Sequence, residues 1–105
     1  MYLISKNKKI EIIMCESIFS RFKGFMLKKK IKNCLCFPKC NSIHTFFMLS
    51  NIDIIMTDKE NKVVYIKNNL KPCRIIFPKK DVYYTYELNS NSNSYKINDY
   101  LKIEK

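Results

Sequence analysis

The sequence predicts an all-β domain, a compact sandwich or barrel of short, mostly antiparallel strands with one short helix near the N-terminus. Three observations lead there. Short runs rich in Ile, Val, Tyr and Phe recur along the chain, bounded by Pro, Asn, Asp or Ser. Only one stretch has apolar residues at helical spacing. At 105 residues with 47% hydrophobic and 13% aromatic content, the chain is one domain, 1–105, able to bury a single core.

The elements follow in chain order. Lys9–Cys15 reads as an Ile-rich strand. Ser17 offers an N-cap, and Ile18, Phe19, Phe22 and Met26 follow at helical intervals; Gly24 falls near the end of that turn, which predicts a short helix from Ile18 to about Lys23. Lys28–Lys32 is a basic loop, and Cys34–Phe37 a short buried strand ended by Pro38. Ile43–Leu49 is apolar on both faces, as expected of a strand inside a sandwich, and Ile52–Thr57 is similar. Asp58-Lys59-Glu60-Asn61 supplies turn chemistry, and Lys62–Lys67 answers as the partner strand of a hairpin. Pro72 and Pro78 bracket an edge strand or extended loop at Cys73–Phe77. Val82–Leu88 alternates, with Tyr84, Tyr86 and Leu88 on one face and Tyr83, Thr85 and Glu87 on the other. Asn89–Ser94 is a polar connection, and Tyr95–Ile97 and Tyr100–Ile103 close the chain as short strands.

The formal net charge is +11. A basic surface can track a phosphate backbone. However, the chain lacks Ala, Gln and Trp, has one Gly, and is heavy in Ile, Lys, Asn, Tyr and Phe, the pattern of an AT-rich coding sequence. Only Arg21 and Arg74 are arginines, whereas bidentate recognition of phosphate and bases favours Arg. Composition therefore explains the charge without dedicated nucleic-acid binding. No apolar run reaches the ~18 residues of a membrane span, and Met1–Ile4 is followed at once by Ser5-Lys6-Asn7-Lys8-Lys9 rather than a signal-peptide core. The expected compartment is the cytoplasm. Five cysteines, an odd number, are then expected as reduced thiols.

Several constellations could carry chemistry. Cys34, Cys36, Cys40 and His44 are four soft ligands within eleven residues, a candidate zinc site. In an extended chain Cys40 and His44 would lie ~13 Å apart, and the paired CxxC spacing is absent, so buried thiols are the expectation and no metal or cofactor is assigned. The sole histidine, His44, shares its predicted face with Phe46 and Met48, where it is either a satisfied core group or part of a pocket. Asp53 lies among isoleucines and needs a partner, for which Arg21 and His44 are candidates. A Cys40–His44 thiolate–imidazole pair oriented by Asp53 is the enzymatic alternative, hydrolase-like or thiol-dependent, but no nucleophile elbow or phosphate loop accompanies it and no catalytic residue is assigned. Tyr83, Tyr84 and Tyr86 beside Lys79-Lys80, or Tyr65 beside Lys67, could stack on single-stranded nucleic acid.

Arg21-Phe22-Lys23-Gly24-Phe25-Met26, Ser42-Ile43-His44-Thr45-Phe46-Phe47-Met48, Ile52-Asp53-Ile54-Ile55 with Val63-Val64, and Tyr86-Glu87-Leu88 together resemble the domain of unknown function 192 family. The resemblance runs from about Ile10 to the C-terminus and implies a β-sandwich or barrel with one short helix. It places the family's recurrent polar positions on Arg21, His44, Asp53, Glu87 and Asp99, a candidate pocket or a set of structural ties. The chain departs from the pattern at Ser50-Asn51-Ile52, at Asn89-Ser90 and at Asn98, where the family has Pro-Leu, Ala-Gly and Gly. The reading that results is a non-enzymatic binding or interaction module for a small molecule or a protein, with a pocket near Arg21, His44 and Asp53.

Overall fold

The computed structural model describes residues 1–16, 32–45 and 48–105. The helix expected at Ile18–Lys23, and Arg21 with it, lies outside the described residues. Within them the protein is all-β, with nine strands in the order β1 Tyr2–Ser5, β2 Lys8–Met14, β3 Cys34–Pro38, β4 Ile43–His44, β5 Ile52–Thr57, β6 Val63–Leu70, β7 Ile75–Ile76, β8 Tyr84–Asn89 and β9 Ile103–Glu104. Seven form one sheet in the order β6-β5-β8-β3-β2-β1-β9, and β4 pairs with β7 in a separate ribbon. Among the described residues, only the β2–β3 pairing is parallel.

The sheet curls into a half-barrel whose ends are tied together. Lys62, just before β6, bridges Tyr100, just before β9. The Val63 N–H donates to Asp99 O at 2.8 Å, the Asn98 N–H to Val63 O at 2.8 Å, and the Leu101 N–H to Asn61 O at 3.0 Å. These bonds cover one end of the β6 edge, leaving the remainder to Lys67 and a bulge, which blunt it against pairing with another chain.

Both faces of the sheet carry buried side chains. One carries Leu35, Phe37, Ile52, Ile54 and Met56. The other carries Leu3, Ile12, Cys34, Cys36, Ile55, Tyr86 and Leu88. β5, buried at all six positions, serves both faces, so its sequence reads as a continuous apolar run broken by Asp53.

Four expectations change. β1, which the sequence reading did not include, forms a hairpin with β2 through Lys6 (φ 50°) and Asn7 (φ 63°), a left-handed turn that Asn tolerates better than most residues. Of the strand expected at Ile43–Leu49, Ile43–His44 is strand, Thr45, Met48 and Leu49 are not, and Phe46 and Phe47 lie outside the described residues. Thr45 turns the chain there, donating its hydroxyl to Lys71 O (2.8 Å) and accepting the Arg74 N–H (2.8 Å). Tyr95–Ile97 is not a strand, because the Tyr95 N–H is taken by the Asn93 side chain and Lys96 N–H by Asp99. Of Tyr100–Ile103, only Ile103 enters β9. No helix among the described residues is long and apolar enough to cross a membrane.

Candidate functional site

Of the five polar positions, the four that are described, His44, Asp53, Glu87 and Asp99, divide among different parts of the fold. Arg21 lies outside the described residues. The register then separates the two buried carboxylates. Asp53 faces Leu88 across β5–β8, whereas Glu87 faces Ile54 on one side and Leu35 on the other. Directly opposed residues share a face, so Asp53 and Glu87 point to opposite sides of the sheet.

Asp53 is fully buried, and its partners are amides. Between Ile52 and Ile54 the β5–β6 register shifts, so that Asn68 and Asn69 together oppose Asp53. Asn69, at φ 59°, has its N–H turned out of the ladder, and Asp53 Oδ1 accepts it at 2.8 Å. Oδ2 accepts the Asn93 side-chain amide at 2.7 Å and the Ser92 N–H at 3.2 Å. The Asn/Ser run is thus not merely a solvated connection: Asn93 is buried and the segment is latched to the core through Asp53. The signal lay in the sequence, since a run of amides and hydroxyls is what a buried carboxylate requires.

Glu87 is 2% exposed, and its Oε1 has no hydrogen-bond partner among the described residues. Burial alone pushes its carboxyl up to about 8, so the neutral acid predominates at neutral pH.

His44 sits on the outer face of the β4–β7 ribbon. Its register partner is Ile75, while the neighbouring pair, Ile43 and Ile76, packs onto the core. Its face is therefore opposite to that of the core-packed residues. The half-buried imidazole lines a cavity of about 320 Å³ with Ser42, Ile43, Ile75, Ile76, Phe77 and Pro78. Ile75 is 50% exposed and Phe77 71% exposed, so the walls are apolar and open to solvent. Asp99 lies elsewhere, in a groove beside the β1–β2 turn, where its carboxylate accepts the Lys96 N–H at 2.8 Å.

The candidate zinc ligands do not assemble. Cys34 and Cys36 share the face that carries Tyr86, whereas Cys40 packs against the opposite cluster and donates its thiol to Ser42 O at 3.1 Å. Burial raises the Cys34 thiol well above its ordinary range and the Cys36 thiol to about 11, which disfavours the thiolates that a metal needs. No group of three His, Cys, Asp or Glu among the described residues is arranged to hold a metal ion.

The basic-aromatic surface is internally engaged. Tyr86 is 2% exposed, and burial pushes its hydroxyl upward. Lys79 Nζ lies 4.3 Å from the Tyr65 ring centre and Lys59 Nζ 5.4 Å from that of Tyr83. Tyr65 thus pairs with Lys79 rather than with Lys67, and these lysines already occupy ring faces that a base would stack on.

The family model DUF192, described as Uncharacterized ACR, matches residues 2–102. A UPF0127 protein of Thermococcus kodakarensis is 37% identical over 83 residues, which are 73% of this chain and 52% of that protein. A UPF0127 protein of Pyrococcus horikoshii is 39% identical over 95 residues, 81% of each chain. The chain thus spans about half the length of the T. kodakarensis relative. Two crystal structures share the fold. One, a protein of unknown function from Novosphingobium aromaticivorans, has a TM-score of 0.70 at 14% identity over 86% of this chain and 71% of that one. The other, a Sinorhizobium meliloti protein named "putative transcription regulator", has a TM-score of 0.77 at 16% identity over 96% and 89%.

Proposed function

We propose that this chain, which belongs to the DUF192 family, is a non-enzymatic binding module that takes an apolar ligand or partner side chain in the hollow beside His44. One observation carries the reading: the sole histidine stands half-buried at a cavity walled by exposed Ile75 and Phe77, on a ribbon outside the main sheet. Mostly apolar walls with a few polar groups to orient the ligand, here His44 and Ser42, are the usual make-up of a small-molecule site. Asp53 enters this reading as the tie that shapes the neighbouring loop, since its oxygens are already occupied by amides.

Nile red, a neutral dye that brightens in apolar surroundings, tests it. The folded protein should bind the dye saturably. An I75D/F77D variant with an unchanged melting temperature should lose that binding. Equal dye binding by both proteins would remove the hollow from consideration.

A further inference from the structure

A second cavity, of about 580 Å³, lies between the β1–β2 turn and the segment 94–102, on residues that the His44 hollow does not use. Its framework is held by backbone bonds. The Ile4 N–H donates to Lys102 O at 2.9 Å, and the Lys102 N–H donates to the Tyr95 hydroxyl at 3.1 Å. That hydroxyl in turn donates to Ile4 O, so the Tyr95 ring is fixed at both sides of the groove.

The lining groups are chemically mixed in an informative way. Lys6 is held by a bond from its Nζ to Asn91 O at 2.7 Å, which leaves two of its ammonium hydrogens available. Lys102 lines the same groove. Tyr100 also lines it and is 59% exposed, a ring that folding leaves largely uncovered. Asp99 is the one carboxylate lining the groove. One of its oxygens takes the Lys96 N–H, and the other remains for a hydroxyl donor. A bare anion would leave Tyr100 and Asp99 without a role, and a neutral aromatic would leave the two lysines without one.

From this juxtaposition we infer that the groove binds a nucleoside monophosphate, with phosphate between Lys6 and Lys102, base on Tyr100, and a ribose hydroxyl on Asp99. Lysines serve here as point charges for phosphate, and an exposed ring supplies a stacking face that tolerates any base. The cavity volume lies within the range of small-ligand sites.

The test is an amide NMR titration of the full chain with AMP, adenosine and inorganic phosphate, each separately. AMP should move the amides of 5–7 and 94–102 saturably, and bind at least tenfold tighter than either part alone. A K6A/K102A variant should weaken AMP at least tenfold, while K67A/K71A, which removes the same charge elsewhere, should change it less than twofold. Saturation transfer from the Tyr100 ring to the adenine protons, read on the unsubstituted protein, checks the stacking without relying on any variant. The inference fails if both double variants weaken AMP equally, if phosphate binds as tightly as AMP, or if the groove amides do not move.

Discussion

At the scale of single residues, the two buried carboxylates show opposite solutions to one problem. Asp53 is surrounded by three N–H donors, whereas Glu87 has only burial and holds its proton. The folded Glu87 titrates at about 8 against an ordinary carboxylic-acid value of 4.5, so between these values the folded chain binds a proton that the unfolded chain has released. The contribution of Glu87 to stability is therefore full below about pH 4.5 and falls as pH rises toward 8, by roughly 4–5 kcal/mol in total. Urea titrations at pH 5, 6.5 and 8 should show that decline, and Glu87→Gln should abolish it and be the more stable protein at pH 8. Asp53→Asn replaces an acceptor by a donor against the Ser92 and Asn93 amides, so it should cost about 2–3 kcal/mol and speed hydrogen exchange at 89–94. The sequence announced that Asp53 needed a partner, because a carboxylate among isoleucines cannot stand alone. It did not identify the partner, since the Asn69 N–H is freed by a bulge, and bulges depend on pairing register rather than on local composition.

At the scale of elements, strands were legible wherever the apolar pattern matched a complete ladder. Ile52–Thr57 and its turn at Asp58–Asn61 fall as expected, and Tyr84, Tyr86 and Leu88 do share a face. The ribbon was less legible. Ile43–Leu49 has the composition of a long strand, but a buried threonine diverts it after two residues by bonding to Lys71 and Arg74, both remote in sequence. Thr45→Val keeps the shape and removes both bonds, so it should cost about 1–3 kcal/mol and raise exchange rates at 71–76 while β5 and β8 stay protected. The β1–β2 hairpin was hidden because its turn is Lys-Asn without Gly. Lys6→Gly should stabilise the protein by roughly 1 kcal/mol in thermal melts, since a side chain at φ 50° carries a steric cost that Gly does not.

At the scale of the whole molecule, the fold class and family were readable from the chain, whereas the meeting points of its polar residues were not. Register decides those, and it places Asp53 and Glu87 back to back. With Asp53 and Glu87 buried, the other seven acids are at least partly exposed, and so are fifteen basic residues among the described ones, which leaves that surface cationic. Single-stranded oligonucleotides of different sequence should therefore bind with similar weak affinity, and the logarithm of that affinity should fall linearly with the logarithm of salt concentration. Fluorescence anisotropy from low to physiological salt measures this, and a sequence preference that survives physiological salt would contradict it. The central claim, that the His44 hollow receives a ligand, has an unusually direct reporter, because the one histidine gives a single imidazole Cε1–H signal. That signal should be followed by carbon–proton NMR while small aromatic fragments are added. Some fragments should shift it saturably together with the amides of 42–44 and 75–78. A signal that stays fixed while fragments bind elsewhere on the protein would contradict it.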